Sequence, residues 1–497
     1  MADPPHEYDA IVVGAGLSGL VDSILLAETG RSVAVLEQHS IPGGYMQQFS
    51  RSRSTFDVGF HYVGQTLPGR SLRRMLEHLR VWERLEVTPL PDDAAIVVSQ
   101  GARSFGYPAR FERFVDKAIA TWPHQRTALE RFSMESDAVC NGFKWFSLRA
   151  NALGGPPPGI AADGASFADY ASTRFTDPWL NQVLAFQSFN IGLHAHEISW
   201  VKHLLAMRAN FDATSRLKGG GGALVAALVA RAEQLGVQFQ FAANVVRLEC
   251  ENRKAKMIET DSGQRFGANL FVAACHPKVV MGWIDDSAVR PMFKERILQM
   301  RDSRGALQVF LRLREPPQSL RSCCTMLYDQ AESERDPPLA VVLIINPSVE
   351  SPCGAGGARL EAMTYVDYAP FAAWASLPAL RRGKDYEQLK GRLAARVIAM
   401  IGSIAPEVPG LITDMYVATP LTDEFYTKNT HGGAFGISHD ITQERFRRPQ
   451  TRTRITNLVF TGHSIHMPGI CGVVSNAFDT CNTIRGNDEL FESVVAG

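Results

Sequence analysis

The first thirty-seven residues constrain this chain more than any other stretch of it. Tyr8-Asp9-Ala10-Ile11-Val12-Val13 is an apolar run of buried-strand type, and it leads into Gly14-Ala15-Gly16-Leu17-Ser18-Gly19. The residues on to Gly30 read as a helix, and Ser32-Val33-Ala34-Val35-Leu36 reads as a second strand ending at Glu37. Strand, glycine turn, helix, strand and acid together make a dinucleotide-binding fingerprint. Gly14 allows the tight turn, Gly16 lets the backbone approach a pyrophosphate, and Gly19 lets the helix pack on the strand. The helix start, with Ala15 and Ser18, offers unpaired N–H groups and a positive dipole end to phosphate. Glu37, with Gln38 beside it, stands where a carboxylate takes both ribose hydroxyls.

A second glycine pair follows at once in Ile41-Pro42-Gly43-Gly44-Tyr45-Met46, and then comes Phe56-Asp57-Val58-Gly59. A glycine pair so close behind the ribose acid resembles the FAD-binding fold of the glutathione-reductase and amine-oxidase type. In that fold the extra loop passes the pyrophosphate and ribityl chain, so FAD is expected rather than NAD. The fold class expected is α/β: a Rossmann-type FAD-binding domain with a discontinuous α+β substrate domain.

At 497 residues the chain is long enough for two or three domains. Fifty-one basic and fifty-one acidic residues balance to a formal charge of zero, which argues against a general nucleic-acid partner. The eight cysteines form no CxxC pair and no signal peptide precedes the first strand, so reduced thiols and a cytoplasmic setting are expected. No apolar stretch approaches the length needed to span a bilayer.

Changes in character along the chain suggest FAD-domain pieces at 1–105, 210–285 and 415–497. A substrate or lid domain would fill 106–209 and 286–414. The 106–209 part is aromatic, with Trp122, Phe143, Trp145, Phe146, Trp179, Phe186, Phe189 and Trp200, and contains a Gly-Pro loop at Gly154–Gly159. Strands are expected at 237–241, 245–248, 256–260, 270–274, 305–313, 339–346 and 457–462, and a helix near 386–403. The glycines at 219–222 read as a turn feeding a helix, and Gly354–Gly357 as a hairpin loop. With one cofactor site and no nicotinamide domain, the electron partner is left open among substrate, oxygen, a quinone and a separate reductase.

Taken together, the fingerprint, Phe56-Asp57-Val58-Gly59-Phe60-His61-Tyr62-Val63-Gly64 and the 218–277 block resemble the phytoene desaturase superfamily of flavoproteins. The carotenoid isomerase and retinol saturase branch is the nearest in pattern, through Thr419-Pro420-Leu421-Thr422, Phe425-Tyr426, Gly433-Ala434-Phe435-Gly436 and His439-Asp440. Gly462 and Pro468-Gly469-Ile470-Cys471-Gly472-Val473-Val474 are similar to the flavin-binding end of carotenoid desaturases. Two departures stand out: Tyr45-Met46-Gln47-Gln48 replaces the Gly-Arg-Ala of bacterial carotenoid desaturases, and His463-Ser464 follows Gly462. The resemblance implies FAD and a hydrophobic small-molecule substrate. On the physical reading, Gly472-Val473-Val474 would start the final helix and point its dipole at the flavin pyrimidine, and the Val245 backbone would meet the adenine edge.

Candidates for chemistry are His61 and Tyr62, which orient substrate or move a proton if they are not simply loop packing. His439 is a third, its imidazole held beside the helix cap Asp440. His463 and His466 lack a third partner for a metal, and His194 and His196 alternate like strand neighbours, so no metal site is expected. Leu72, Met75, Leu76 and Leu79 form one helical stripe opposite arginines, a pattern that suits either peripheral contact with anionic lipid or a solvated surface helix.

The leading expectation is an FAD-dependent oxidoreductase acting on the C=C system of a carotenoid, retinoid or unsaturated fatty-acyl chain, by desaturation, saturation or cis–trans isomerisation. An amine-oxidase-like flavoenzyme is the second reading, although the lysine and aromatic cage it needs are not assignable. A non-enzymatic prenyl- or lipid-binding escort is the third.

Overall fold

The computed structural model describes residues 6–152, 164–320, 324–347, 358–444 and 447–497. The fingerprint strand is His6–Val13, its helix Leu17–Ala27 and the following strand Val33–Leu36. Every residue of that helix is buried, because the helices Gly220–Gln234 and Gly469–Arg485 close over it from above the sheet. A helix enclosed on all sides accommodates the near-continuous apolar run Leu20, Val21, Ile24, Leu25 and Leu26.

Seven strands form the first sheet. Their order is Val245–Glu251, Lys254–Thr260, Arg265–Ala273, His6–Val13, Val33–Leu36 and Gln238–Gln240, with Leu458–Phe460 also paired to Arg265–Ala273. His6–Val13 runs parallel to both neighbours, Val12 standing opposite Val272 on one side and Val35 on the other. Arg265–Ala273 is long enough to serve two partners: its first half is antiparallel to Lys254–Thr260 and its second half parallel to Leu458–Phe460. One sheet thus gathers three stretches that are distant in sequence.

A second seven-stranded sheet has the order Ile412–Ala418, Gly305–Leu313, Ala358–Val366, Val341–Ile345, Cys324–Tyr328, Ile96–Gln100 and Arg103–Tyr107. The hairpin 96–107 joins it through a parallel pairing of Thr325 with Val97. The change of sheet therefore falls before Ile96, not at the expected boundary of 105, and Ile412–Ala418 carries the return past the expected 414. The alternation in these strands is plain in sequence, but which sheet edge completes the ladder depends on a partner far along the chain.

Alternation also decides what each face of this sheet does. Leu307, Val309, Leu311 and Leu360 pack against Leu393, Val397 and Ile401 of the helix Lys384–Ile404. Ala306, Gln308, Met363 and Tyr365 take the opposite face and look into a cavity.

Most of the aromatic residues between 106 and 209 build ordinary core: Phe111, Phe114, Phe132, Phe167 and Phe175 are buried against one another and against Met326, Ile345 and Met363. The helix Ser71–His78 buries Leu72, Met75 and Leu76, with Leu79 behind them, against Gly469–Arg485 and Glu489–Ala496. The stripe that suited a lipid surface therefore faces protein. Among the described residues no helix is long and apolar enough to cross a membrane.

Gly219–Gly222 opens the helix Gly220–Gln234 as expected. A side chain at Gly220 or Gly222 would collide with Asp57 or Gln48, so these glycines serve close packing on the hairpin 48–57. Gly154–Gly159 and Gly354–Gly357 lie outside the described residues.

Candidate active site

The carboxyl ends of the first sheet open into a cavity of about 320 Å³. The turn after His6–Val13 forms its floor. A Cβ on Gly19 would lie 2.0 Å from the Gly14 carbonyl oxygen, so that residue has no room for a side chain. Gly16 is different: nothing lies within 4 Å of where its Cβ would be, and it borders the cavity. A backbone surface left bare in this way beside a helix start fits a pyrophosphate.

Glu37 ties the floor to the wall. Its Oε2 accepts from the Ala15 N–H at 2.7 Å and its Oε1 from the His39 N–H at 2.8 Å. Burial raises its pKa, and these N–H groups oppose the rise. Each oxygen retains a lone pair for a ribose hydroxyl. Gly43 donates its N–H to the Ala15 carbonyl at 2.8 Å, which brings the second glycine pair over the first. Its φ of +122° and that of Gly44, +55°, are the left-handed geometry this crossing requires. Gln38 donates to the Tyr426 carbonyl at 2.8 Å, and the rings of His39 and Tyr426 meet edge to face, so the helix Pro420–Thr427 straps across this end.

At the other end the helix Gly469–Arg485 points its N-terminus at the cavity through Gly469 and Ile470. Pro468, extended, precedes it without a side-chain cap, leaving the first-turn N–H groups free for an electron-rich acceptor. The helix starts three residues earlier than expected and is not the last, since Glu489–Ala496 follows it.

The sequence pattern of the flavin containing amine oxidoreductase family matches residues 17–482. The chain belongs to this family. Its curated relatives include the all-trans-retinol 13,14-reductase of Danio rerio, 24% identical over 98% of this chain and 87% of that protein. The lycopene-forming phytoene desaturase of a Paracoccus species is 23% identical over 97% of this chain and 98% of that protein. Prolycopene isomerase 2 of an Oncidium hybrid is 25% identical over 54% of this chain and 48% of that protein. Among solved structures, an oxidoreductase from Methanosarcina mazei superposes with a TM-score of 0.66 at 15% identity, covering 95% of this chain and 99% of that one. Putrescine oxidase with putrescine bound gives 0.63 at 17%, covering 97% and 100%. The family member described here is an oxidoreductase of the phytoene desaturase, carotenoid isomerase and retinol saturase superfamily, and FAD is its cofactor.

The cavity collects Gly14, Gly16, Ser18, Glu37, Gln38, Gly43, Gly44, Tyr45, Met46, Val245, Gly462, His463 and Val473, all anticipated as cofactor contacts. Four anticipated residues stand elsewhere. Ala15 and Gly19 act from beneath the floor. Gly472 is wedged against Met467, and Val474 is core. The early start of the helix is the reason, because it turns these two away from the cavity.

His61 and Tyr62 both border the cavity. Burial, and the Arg216 guanidinium that donates to the His61 carbonyl, bring the His61 pKa down to about 3, so its ring is neutral. Its Nδ1 is buried without a hydrogen-bond partner in the protein. Burial raises the Tyr62 phenol well above its usual value, and the hydroxyl donates to Asn190 Oδ1 at 3.1 Å. His439 does not reach the cavity. It is buried behind His463, with Nε2 2.7 Å from the His463 carbonyl, and burial with Arg448 and Lys202 nearby holds it neutral. His463 is likewise brought down to about 3, mainly by burial. His466 turns away to Asp479 at 3.4 Å. His194 and His196 stack in a turn rather than a strand. Among the described residues no cluster of three or more His, Cys, Asp or Glu could hold a metal.

Sequence reading missed the wall opposite the fingerprint: Asn190, Asn210, Gln308, Met363, Tyr365 and Phe435. Gln308 donates to the Val58 carbonyl and so fixes the loop that carries His61 and Tyr62. The only signal was the polar Gln308 in an otherwise apolar strand, Ala306 to Leu311.

Proposed function

We propose that this flavoenzyme acts on a carbon–carbon double or single bond of a long hydrophobic substrate: a carotenoid, retinoid or unsaturated fatty-acyl chain. The observation that carries the reading is a second, larger cavity of about 1020 Å³ next to the first. The two share Tyr62, Asn190, Asn210, Gly469 and Ile470 as lining, so the larger chamber opens onto the cofactor end where the helix Gly469–Arg485 begins. Phe143, Trp145, Phe146, Trp200 and Leu205 supply apolar wall. Such a chamber removes an elongated apolar molecule from water at a gain that grows with its buried area.

When bound, FAD supplies hydride exchange at N5. The residues around it position and shield. Neutral His61 and protonated Tyr62 carry no charge into the junction, so they orient an apolar chain without repelling it. Tyr62, Asn190, Gln187 and Asn210 form a hydrogen-bonded belt across the opening, with Asn190 and Asn210 both donating to Gln187 Oε1 at 2.7 and 3.2 Å. A belt of this kind holds the aperture in shape and offers a polar contact only at its rim.

The test exposes oxidised and reduced holoprotein to a lipid extract and follows masses. A gain of two hydrogens marks saturation, a loss of two desaturation, and an unchanged mass with altered retention isomerisation. Anaerobic bleaching of the flavin by amines but not by lipids would overturn the reading.

A further inference from the structure

The chamber is not apolar throughout. Away from its aromatic wall it is lined by Lys202, Glu444, Arg447 and Arg448. Lys202 stands on the helix Trp200–Arg208, with its side chain 11% exposed and its Nζ 3.3 Å from Glu444 Oε1. The same Glu444 oxygen accepts from Ser199 Oγ at 2.7 Å. Arg448 is buried, and its guanidinium donates to backbone carbonyls: Ser438 at 2.5 Å, Ser464 at 2.7 Å, Ile437 at 3.1 Å and Ile465 at 3.3 Å. These bonds satisfy its donors, while Glu444 and Asp440 supply the negative charge nearest to it.

The chamber wall itself carries three cations at this end, Lys202, Arg447 and Arg448, against the one carboxylate Glu444. Lys202 and Arg448 are buried cations. Glu444 answers one of them. Asp440, outside the chamber lining, pairs with the exposed Arg301 at 2.8 Å and also attracts Lys202 and Arg448, and His439 is neutral. Arg447 adds a further positive charge at the exposed edge. A buried cation in excess of the anions that share its cavity is costly to hold. A ligand carboxylate would restore the match.

Resting on the reading of the chamber as the site of a long apolar substrate, we propose that this substrate is a chain ending in a carboxylate, received by Lys202 beside Arg448 with the hydrocarbon along the aromatic wall. The alcohol, ester and hydrocarbon forms of the same chain lack the charge that this end of the chamber is built to meet. Burial brings Lys202 down to about 8, with Glu444 opposing the fall and Arg448 adding to it. The carboxylate preference therefore weakens as pH rises through 8, where the lysine loses its proton.

The experiment uses FAD-loaded protein and cis-parinaric acid, a fluorescent polyene carboxylate, beside its methyl ester. The acid is expected to bind at least about tenfold tighter than the ester, one charge-assisted contact's worth. Lys202→Met should erase that preference and leave ester binding in place, while Lys202→Arg should keep it. Because Lys202→Met leaves Glu444 without its cation, the double variant Lys202→Met/Glu444→Gln is measured alongside, with flavin absorbance reporting an intact fold. Equal binding of acid and ester by the wild type would overturn the carboxylate inference while the apolar chamber stands. An acid preference that survives in both lysine-to-methionine variants would overturn the assignment to Lys202. Binding of neither acid nor ester would take down the chamber reading itself.

Discussion

The Tyr62 hydroxyl donates to Asn190 Oδ1 at 3.1 Å at the line where the cofactor cavity meets the larger chamber. Tyr62 comes from the loop behind the second glycine pair, whereas Asn190 comes from the 3-10 segment Phe186–Ile191 of the helical layer. The bond therefore latches the two halves of the site together.

Tyr62→Phe removes that latch and keeps the ring. Flavin content should be unchanged, and kcat/KM should fall about five- to tenfold, as expected for one hydrogen bond of about 1–1.5 kcal/mol. Steady-state kinetics with whichever lipid is turned over checks this, and an unaltered kcat/KM would remove Tyr62 from the positioning of substrate.

Gly16→Val and Gly19→Ala separate cofactor binding from folding. Nothing crowds a Cβ at Gly16, so the purified valine variant should lose its flavin colour while the unfolding free energy of its apoprotein stays within about 0.5 kcal/mol of the wild-type apoprotein. The alanine methyl meets the Gly14 carbonyl, so overpacking of about 1–3 kcal/mol should lower stability even without FAD. Absorbance and urea midpoints of the apoproteins distinguish the two.

Glu361 is a buried carboxyl whose Oε1 accepts from the Asp57 N–H at 3.1 Å. Burial, and then the neighbouring Asp57 carboxylate, push its pKa up to about 8. An acid with a raised folded pKa is protonated in the fold while the unfolded chain is ionised. Its contribution thus declines as pH rises from its unfolded value of 4.5 through about 8. Glu361→Gln cannot ionise, so its stability relative to wild type should climb with pH across that window, by up to about 1.4 kcal/mol per pH unit. Urea titrations at pH 6, 7 and 8 measure the difference; a flat difference would refute it.

Met75 lies in the helix that looked suited to a lipid surface, yet it is fully buried. Met75→Ala should cost about 2–5 kcal/mol of stability. It should leave partition onto anionic vesicles unchanged. A change in vesicle binding without a stability loss would restore the lipid-facing role.

The cofactor floor was legible because its glycines and Glu37 do local jobs that fixed spacings encode. Residue 472 was misjudged as a helix start because valines at 473 and 474 look like a beginning, whereas the extended Pro468 sets the true one at Gly469. The cavity wall opposite the fingerprint was not legible, although the aromatic residues Phe143, Trp145, Phe146 and Trp200 of the larger chamber stood out in the sequence. Gln308 faces Met363, and Ala306 faces Tyr365, only because two antiparallel strands adopt one register, and a strand pattern does not announce its partner. Glu444 and Lys202 likewise meet across elements far apart in sequence.

That register has a consequence for how the cavity can be altered. Ala306, Gln308, Met363 and Tyr365 project from a ladder whose other face is already pinned by the helix Lys384–Ile404. Exchanging one of them alters the contour of the cavity's far wall while the scaffold and the flavin-binding floor stay as they are. Single replacements on this face can thus reshape the cavity on a rigid lattice.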